Sequence, residues 1–164
     1  MSRLRPASRI DRIAACLLKR GWALAVAESL TTGQLTARLG AGPDASRWLH
    51  GAVVAYDAEV KFHVLGVDRG PVVTERCARQ MAEGVARLMG AEVGIAVTGV
   101  GGPDPEEGEA PGTVFLAITL AGRTECTRLR IRGAPDDVIK RTTRRALRRL
   151  VEALEEPYEQ RESA

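Results

Sequence analysis

Aromatic side chains are nearly missing: two Trp, two Tyr and two Phe serve 164 residues, so the core must come from Val, Leu, Ile and Ala. Such a core suits a sheet covered by helices better than an aromatic-rich sandwich. Histidine is as scarce, and neither His50 nor His63 has Cys, Asp or Glu at a repeated ligand spacing, so no metal site and no cofactor is expected. Cys16, Cys77 and Cys126 form an odd set without a C-x-x-C pair and read as reduced structural thiols. Walker loops, G-x-S-x-G elbows and zinc signatures are absent, which removes the commonest NTPase and hydrolase assignments. No run approaches the roughly 20 apolar residues that a membrane helix needs, and the basic N-terminus lacks an apolar h-region. No membrane partner is expected, and the expected location is the cytoplasm.

What is present fits one domain over residues 1–164, with an ordered core at about 9–155 and a polar, frayed tail after Pro157. The formal charge of +3 hides an uneven distribution, because arginines gather at the two ends, in Arg3, Arg5, Arg9, Arg12 and the Arg144–Arg149 cluster. No aromatics interleave with them, so they read first as solvated helix faces and second as a field attracting nucleotides. Nucleic acid is therefore disfavoured as a partner, and a homo-oligomer is left open.

Apolar periodicity sets the element order. Ile10, Ile13, Ala14, Leu17 and Leu18 predict a helix over 9–20, with Ser8 as N-cap and Gly21 as stop. The run 22–27 reads as a strand that empties into a polar turn and a helix ending at Leu39. Leu49–Tyr56 reads as a strand, Asp57 as the cap of a helix before Gly66, and Thr74 as the cap of a helix closed by Gly90. Val93–Val97 reads as a strand, Asp104–Pro111 as a mobile acidic loop, and 112–120 with 126–131 as paired strands joined around Ala121-Gly122. A last helix spans about 136–154. The order α-β-α-β-α-α-β-β-β-α implies an α/β fold, a three-layer α/β/α sandwich with a mixed central sheet.

Three polar loops each follow an apolar strand, and ligands in such sheets sit beyond the carboxyl ends of the strands. The first, Glu28–Gly33, sets Ser29, Thr31 and Thr32 beside the free N–H groups of a helix start, a phosphate-holding arrangement; a merely capped helix gives the same pattern. The second places Tyr56 at a strand end and Lys61 five residues on, flanked by Val60 and Phe62. A lysine activates a serine hydroxyl only when burial or nearby charge keeps it neutral part of the time. The third, Thr98–Pro103, uses Gly99, Gly101 and Gly102 to let backbone approach a ligand; a tight structural turn is the bland alternative.

These segments resemble a known family. Ala27-Glu28-Ser29-Leu30-Thr31-Thr32-Gly33 is similar to the A-E-S-x-T-G-G signature of the CinA C-terminal domain family, also called PncC or nicotinamide-nucleotide amidase. Gly51–Tyr56 with Glu59 and Lys61, then Leu65-Gly66-Val67, Val73-Thr74, Met81–Gly84, Ala96–Pro103 and Pro111–Val114 continue the similarity in order, over about residues 9–154. The resemblance implies hydrolysis of the carboxamide of nicotinamide mononucleotide, a small-molecule pyridine nucleotide, to nicotinate mononucleotide and ammonia. It implies Ser29 as nucleophile, Tyr56 and Lys61 as its activating groups, and substrate contacts from Glu28, Thr31, Thr32, Gly33, Thr98, Gly99, Gly101, Gly102 and Arg141. The family's Cys is Leu30 here, the first Gly of its T-G-G is Thr32, and its G-D-R before the last helix is Gly133-Ala134-Pro135. The alternative reading is a nucleotide-binding or regulatory module that keeps the pocket with little or no turnover. A DNA-associated role rests only on the family name and the terminal arginines.

Overall fold

A computed structural model describes residues 7–156, so the tail expected to fray after Pro157 lies outside the described residues. Among the described residues the order is α1 (Arg9–Arg20), β1 (Leu24–Glu28), α2 (Gln34–Gly40), a 3-10 turn (Ala45–Arg47), β2 (Leu49–Val54), α3 (Ala58–Leu65), α4 (Glu75–Met89), β3 (Val93–Gly99), β4 (Thr113–Leu120), β5 (Arg123–Arg130) and α5 (Pro135–Glu155). The expected caps are in place: Ser8 and Asp11 form a capping box on α1, Asp57 caps α3, Thr74 caps α4, and Gly21, Gly66 and Gly90 end helices in the left-handed conformation.

The five strands form one sheet in the order β2-β1-β3-β4-β5. β1 pairs in parallel with β2 and β3, whereas β3–β4 and β4–β5 are antiparallel, so the sheet is mixed as the element order predicts. β5 starts at Arg123, three residues before the expected Cys126. Ala121 (φ 48°) and Gly122 (φ 86°) make a two-residue hairpin with both central residues left-handed, which fits the twist of the flanking strands. The early part of β5 was hidden because it is an exposed, charged edge strand with little apolar alternation.

The sheet has unlike faces. Leu24 and Val26 of β1, Val93, Ile95 and Val97 of β3, and Val114, Leu116, Ile118 and Leu120 of β4 face a core shared with α1, α2 and α5. The alternate positions are mainly small, with Ala25, Ala27, Ala96 and Ala117 under α4 and α3. Their size lets the α4 backbone come close: a Cβ on Gly94 would stand 2.2 Å from the Ala82 carbonyl oxygen. With β1, β2 and β3 parallel, their carboxyl ends lie on one side, and the loops that follow them emerge together.

Candidate active site

The turn after β1 is built around a buried carboxylate. Glu28 is fully buried and accepts hydrogen bonds from the N–H groups of Gly33 (3.0 Å), Leu35 (3.1 Å) and Thr36 (2.8 Å) and from the Thr36 hydroxyl. An anion therefore already sits on the positive end of α2, supplied by the chain itself. This corrects the phosphate cradle expected from the start of α2, because the N–H groups of Gly33, Leu35 and Thr36 are taken by Glu28. Glu28 is a structural cap and lies outside the cleft. Thr31 is also buried, with its hydroxyl unpartnered among the described residues, and Thr32 is exposed at φ 48°. Neither Thr31, Thr32 nor Gly33 lines the cleft.

Ser29 differs. It follows β1 directly, is 8% exposed, and is fixed by its own N–H, which donates to the Val97 carbonyl at 3.1 Å. It opens into a cleft of about 650 Å³ whose wall also includes Leu30, Tyr56, Lys61, Thr98, Gly99, Gly101 and Gly102. The three strand-end loops thus contribute to one cavity.

Lys61 faces this cleft from the first half of α3 yet is only 1% exposed. Its ammonium donates to the Ala55 carbonyl at 2.7 Å and the Tyr56 carbonyl at 3.1 Å, which ties α3 to the end of β2. Burial pushes its pKa below the usual lysine value of 10.5, against a smaller opposing pull from the carboxylates of Glu106, Asp57 and Glu107. The neighbouring Cys77 thiol is pushed up to about 11 by its own burial, so it stays protonated at neutral pH. Tyr56 falls two residues beyond β2, where the strand was expected to reach it, and is 71% exposed at the cleft rim.

The third loop is tightly specified. Thr98 is 1% exposed and donates its hydroxyl hydrogen to the Val72 carbonyl at 2.8 Å. Gly99 is required by the sheet, since a Cβ there would meet the Thr113 carbonyl oxygen at 2.4 Å, whereas Gly101 faces open space. The N–H groups of Leu30, Gly101 and Gly102 have no hydrogen-bond acceptor among the described residues, and all three residues border the cleft.

Sequence reasoning missed the acidic side of the site. Asp57, Asp104 and Glu106 line the cleft, and Pro135 and Ile139 close it from the start of α5. Asp57 was legible only as a cap. The acidic loop expected to be mobile is tethered instead: the Glu107 carboxylate accepts from the Val72 and Val73 N–H groups at 2.9 and 2.7 Å, and Glu106 and Glu109 bridge through their backbones. Arg141 is not in the cleft wall. Its guanidinium donates to the Arg132 carbonyl at 2.8 Å and borders a separate groove.

Comparison with known proteins agrees with the sequence blocks. The profile of the CinA C-terminal domain family matches residues 7–154. A competence-damage inducible protein of Geobacillus kaustophilus is 44% identical over 134 residues, 78% of this chain and 32% of that protein. A CinA-like protein of Dictyoglomus thermophilum is 36% identical over 137 residues, 80% of this chain and 33% of that protein. The chain thus spans about one third of the length of these relatives. Among solved structures, a competence damage-inducible protein A from Klebsiella pneumoniae superposes with a TM-score of 0.87 at 36% identity, covering 90% of this chain and 96% of that one. A family match over nearly the whole described length, with a shared fold at that identity, leads to one statement: the chain belongs to the CinA C-terminal domain family.

Proposed function

We propose that the cleft hydrolyses the carboxamide of nicotinamide mononucleotide to nicotinate mononucleotide and ammonia. The observation that carries this reading is that a serine at a strand end, a rim tyrosine and a buried lysine with a lowered pKa line one cavity. Ser29 Oγ attacks the carboxamide carbon while its proton passes to neutral Lys61, directly or through the Tyr56 hydroxyl. The carbonyl oxygen gains the negative charge, and the unused N–H groups of Leu30, Gly101 and Gly102 are the donors available to it. The proton then goes to the departing nitrogen, the C–N bond breaks, and ammonia leaves a nicotinoyl ester on Ser29. Water, deprotonated by the same base, attacks that ester and restores the serine. Asp57, Asp104 and Glu106 favour a substrate whose ring carries positive charge, as a pyridinium does. The phosphate-pairing role expected of Arg141 has no support from its position in the single chain.

The second reading, a binding module with weak turnover, draws on Thr32, whose side chain and left-handed backbone stand where the family has glycine. Pro135 weighs less, because it occupies the first turn of α5, where proline fits. Incubating the purified chain with nicotinamide mononucleotide and excess chelator separates the two. Steady ammonia release is expected, since the nucleophile is a side chain rather than a metal-bound water. Binding without release contradicts the amidase reading.

A further inference from the structure

A second concave site lies on the far side of α5 from the cleft. It has a volume of about 320 Å³, and its wall consists of Arg9, Arg130, Arg132, Arg141, Arg144, Arg145 and Arg148 with Ile131 alone among them uncharged. The four α5 arginines recur at i, i+3, i+4 and i+7, which places them on one helix face over roughly 10 Å of axis at about 1.5 Å per residue. Arg130 and Arg132 face them from the end of β5, and Arg9 from the first turn of α1.

Among the described residues, little neutralises this wall. Arg9, Arg132, Arg144 and Arg145 have no carboxylate partner among the described residues, and the Arg148 contact with Glu152 is long at 3.5 Å. Arg130 and Arg141 bond only to neutral oxygens, those of the Thr113 hydroxyl and the Arg132 carbonyl. Along α5 the i,i+4 neighbours of Arg144 are Lys140 and Arg148, and those of Arg145 are Arg141 and Arg149, so like charges stack where opposite charges would stabilise the helix. Arginine cannot relieve such crowding by losing its proton. Arg9 adds a cation at the positive end of α1, where an anion is favoured.

We propose that this groove binds a linear polyphosphate, a run of adjacent phosphoryl groups carried by a nucleoside polyphosphate or by inorganic polyphosphate. Each guanidinium presents a planar fork that phosphate oxygens match in pairs, and a run of phosphates engages forks on both walls at once. The single apolar lining residue, Ile131, is itself buried, which leaves no apolar anchor for a peptide side chain. No aromatic lines the groove, so bases of a single strand have nothing to stack on. This site stands apart from the Ser29 cleft and holds whether or not that cleft hydrolyses an amide.

The test is a calorimetric titration of the whole chain with inorganic tripolyphosphate, adenosine triphosphate, orthophosphate and a short duplex DNA at one fixed ionic strength. Tripolyphosphate is expected to bind at least about ten-fold more tightly than orthophosphate and to weaken as salt rises. Equal affinity for adenosine triphosphate assigns recognition to the phosphate chain alone, and tighter binding assigns part of it to the nucleoside. Arg144→Gln with Arg145→Gln, both exposed, is expected to weaken tripolyphosphate binding about ten-fold or more without lowering Tm or changing the amide reaction. Arg148→Gln serves if that double variant does not fold. Unchanged tripolyphosphate affinity in the folded variant overturns the proposal. So does duplex DNA binding at least as tightly as tripolyphosphate at equal phosphate concentration.

Discussion

Burial takes the Lys61 ammonium out of water while the carbonyls of Ala55 and Tyr56 accept two of its N–H bonds. Two carbonyls are a weak substitute for full hydration, so the neutral amine gains ground and the pKa falls. The sign fixes two pH dependences. In the folded chain the charged form is penalised below the lowered pKa, and stability is regained as pH rises from that value towards 10.5, the ordinary lysine value. In the proposed reaction, the same deprotonation would create the base. We therefore expect kcat/KM for the amide to rise with pH through an inflection below the ordinary lysine value of 10.5, measured as ammonia release across a buffer series. A profile flat across that range contradicts Lys61 as the base. The identity of Lys61 as a candidate was legible from its spacing to Tyr56 and its apolar neighbours. The depth of its burial was not, because that depends on the approach of α4 and of the acidic loop.

The β1–α2 connection shows what an element adds to its residues. A cap read from sequence is sought within three residues of the helix start, but Glu28 reaches forward over five to eight residues to serve α2. The signature around Ser29 therefore looks like a ligand loop while half of it is scaffold. Thr32 sits in that connection at φ 48°, a conformation that costs a residue with a Cβ about 1–2 kcal/mol. Glycine removes that strain but loses about 0.5–1 kcal/mol through added freedom of the unfolded chain. Thr32→Gly should thus stabilise the protein by up to about 1.5 kcal/mol, seen as a raised midpoint in denaturant or thermal unfolding. A lowered midpoint would mean that the Thr32 side chain makes a stabilising contact. Helices α1 and α4 were legible because their caps and apolar faces agree. Gly84 was not legible as a packing residue: a Cβ there would stand 1.9 Å from the Leu65 carbonyl oxygen, so it marks where α4 crosses the end of α3. Such a contact spans nineteen positions of chain, which no local pattern encodes.

At the scale of the molecule, the sheet's parallel half gathers chemistry and its antiparallel half completes the core. Residues as far apart as Ser29, Lys61 and Thr98 share one cavity because β1, β2 and β3 end on the same side. The sequence predicted that convergence from strand polarity alone. Charge is divided too, with Asp57, Asp104 and Glu106 around the cleft and seven arginines around the groove across α5. The arginine cluster and the acidic loop were legible in the sequence, but not that α5 would separate a groove from a cleft between them, since that depends on how the helix packs. The most direct test of the central claim, that this cleft is an amide-hydrolysing site with Ser29 as nucleophile, is ammonia release by Ser29→Ala across a titration of nicotinamide mononucleotide, with binding followed in parallel. The account predicts loss of turnover with nucleotide binding retained, since the missing hydroxyl matters at the reacting carbonyl. A raised KM with kcat near the parent value would contradict it, placing Ser29 in binding and the nucleophile elsewhere.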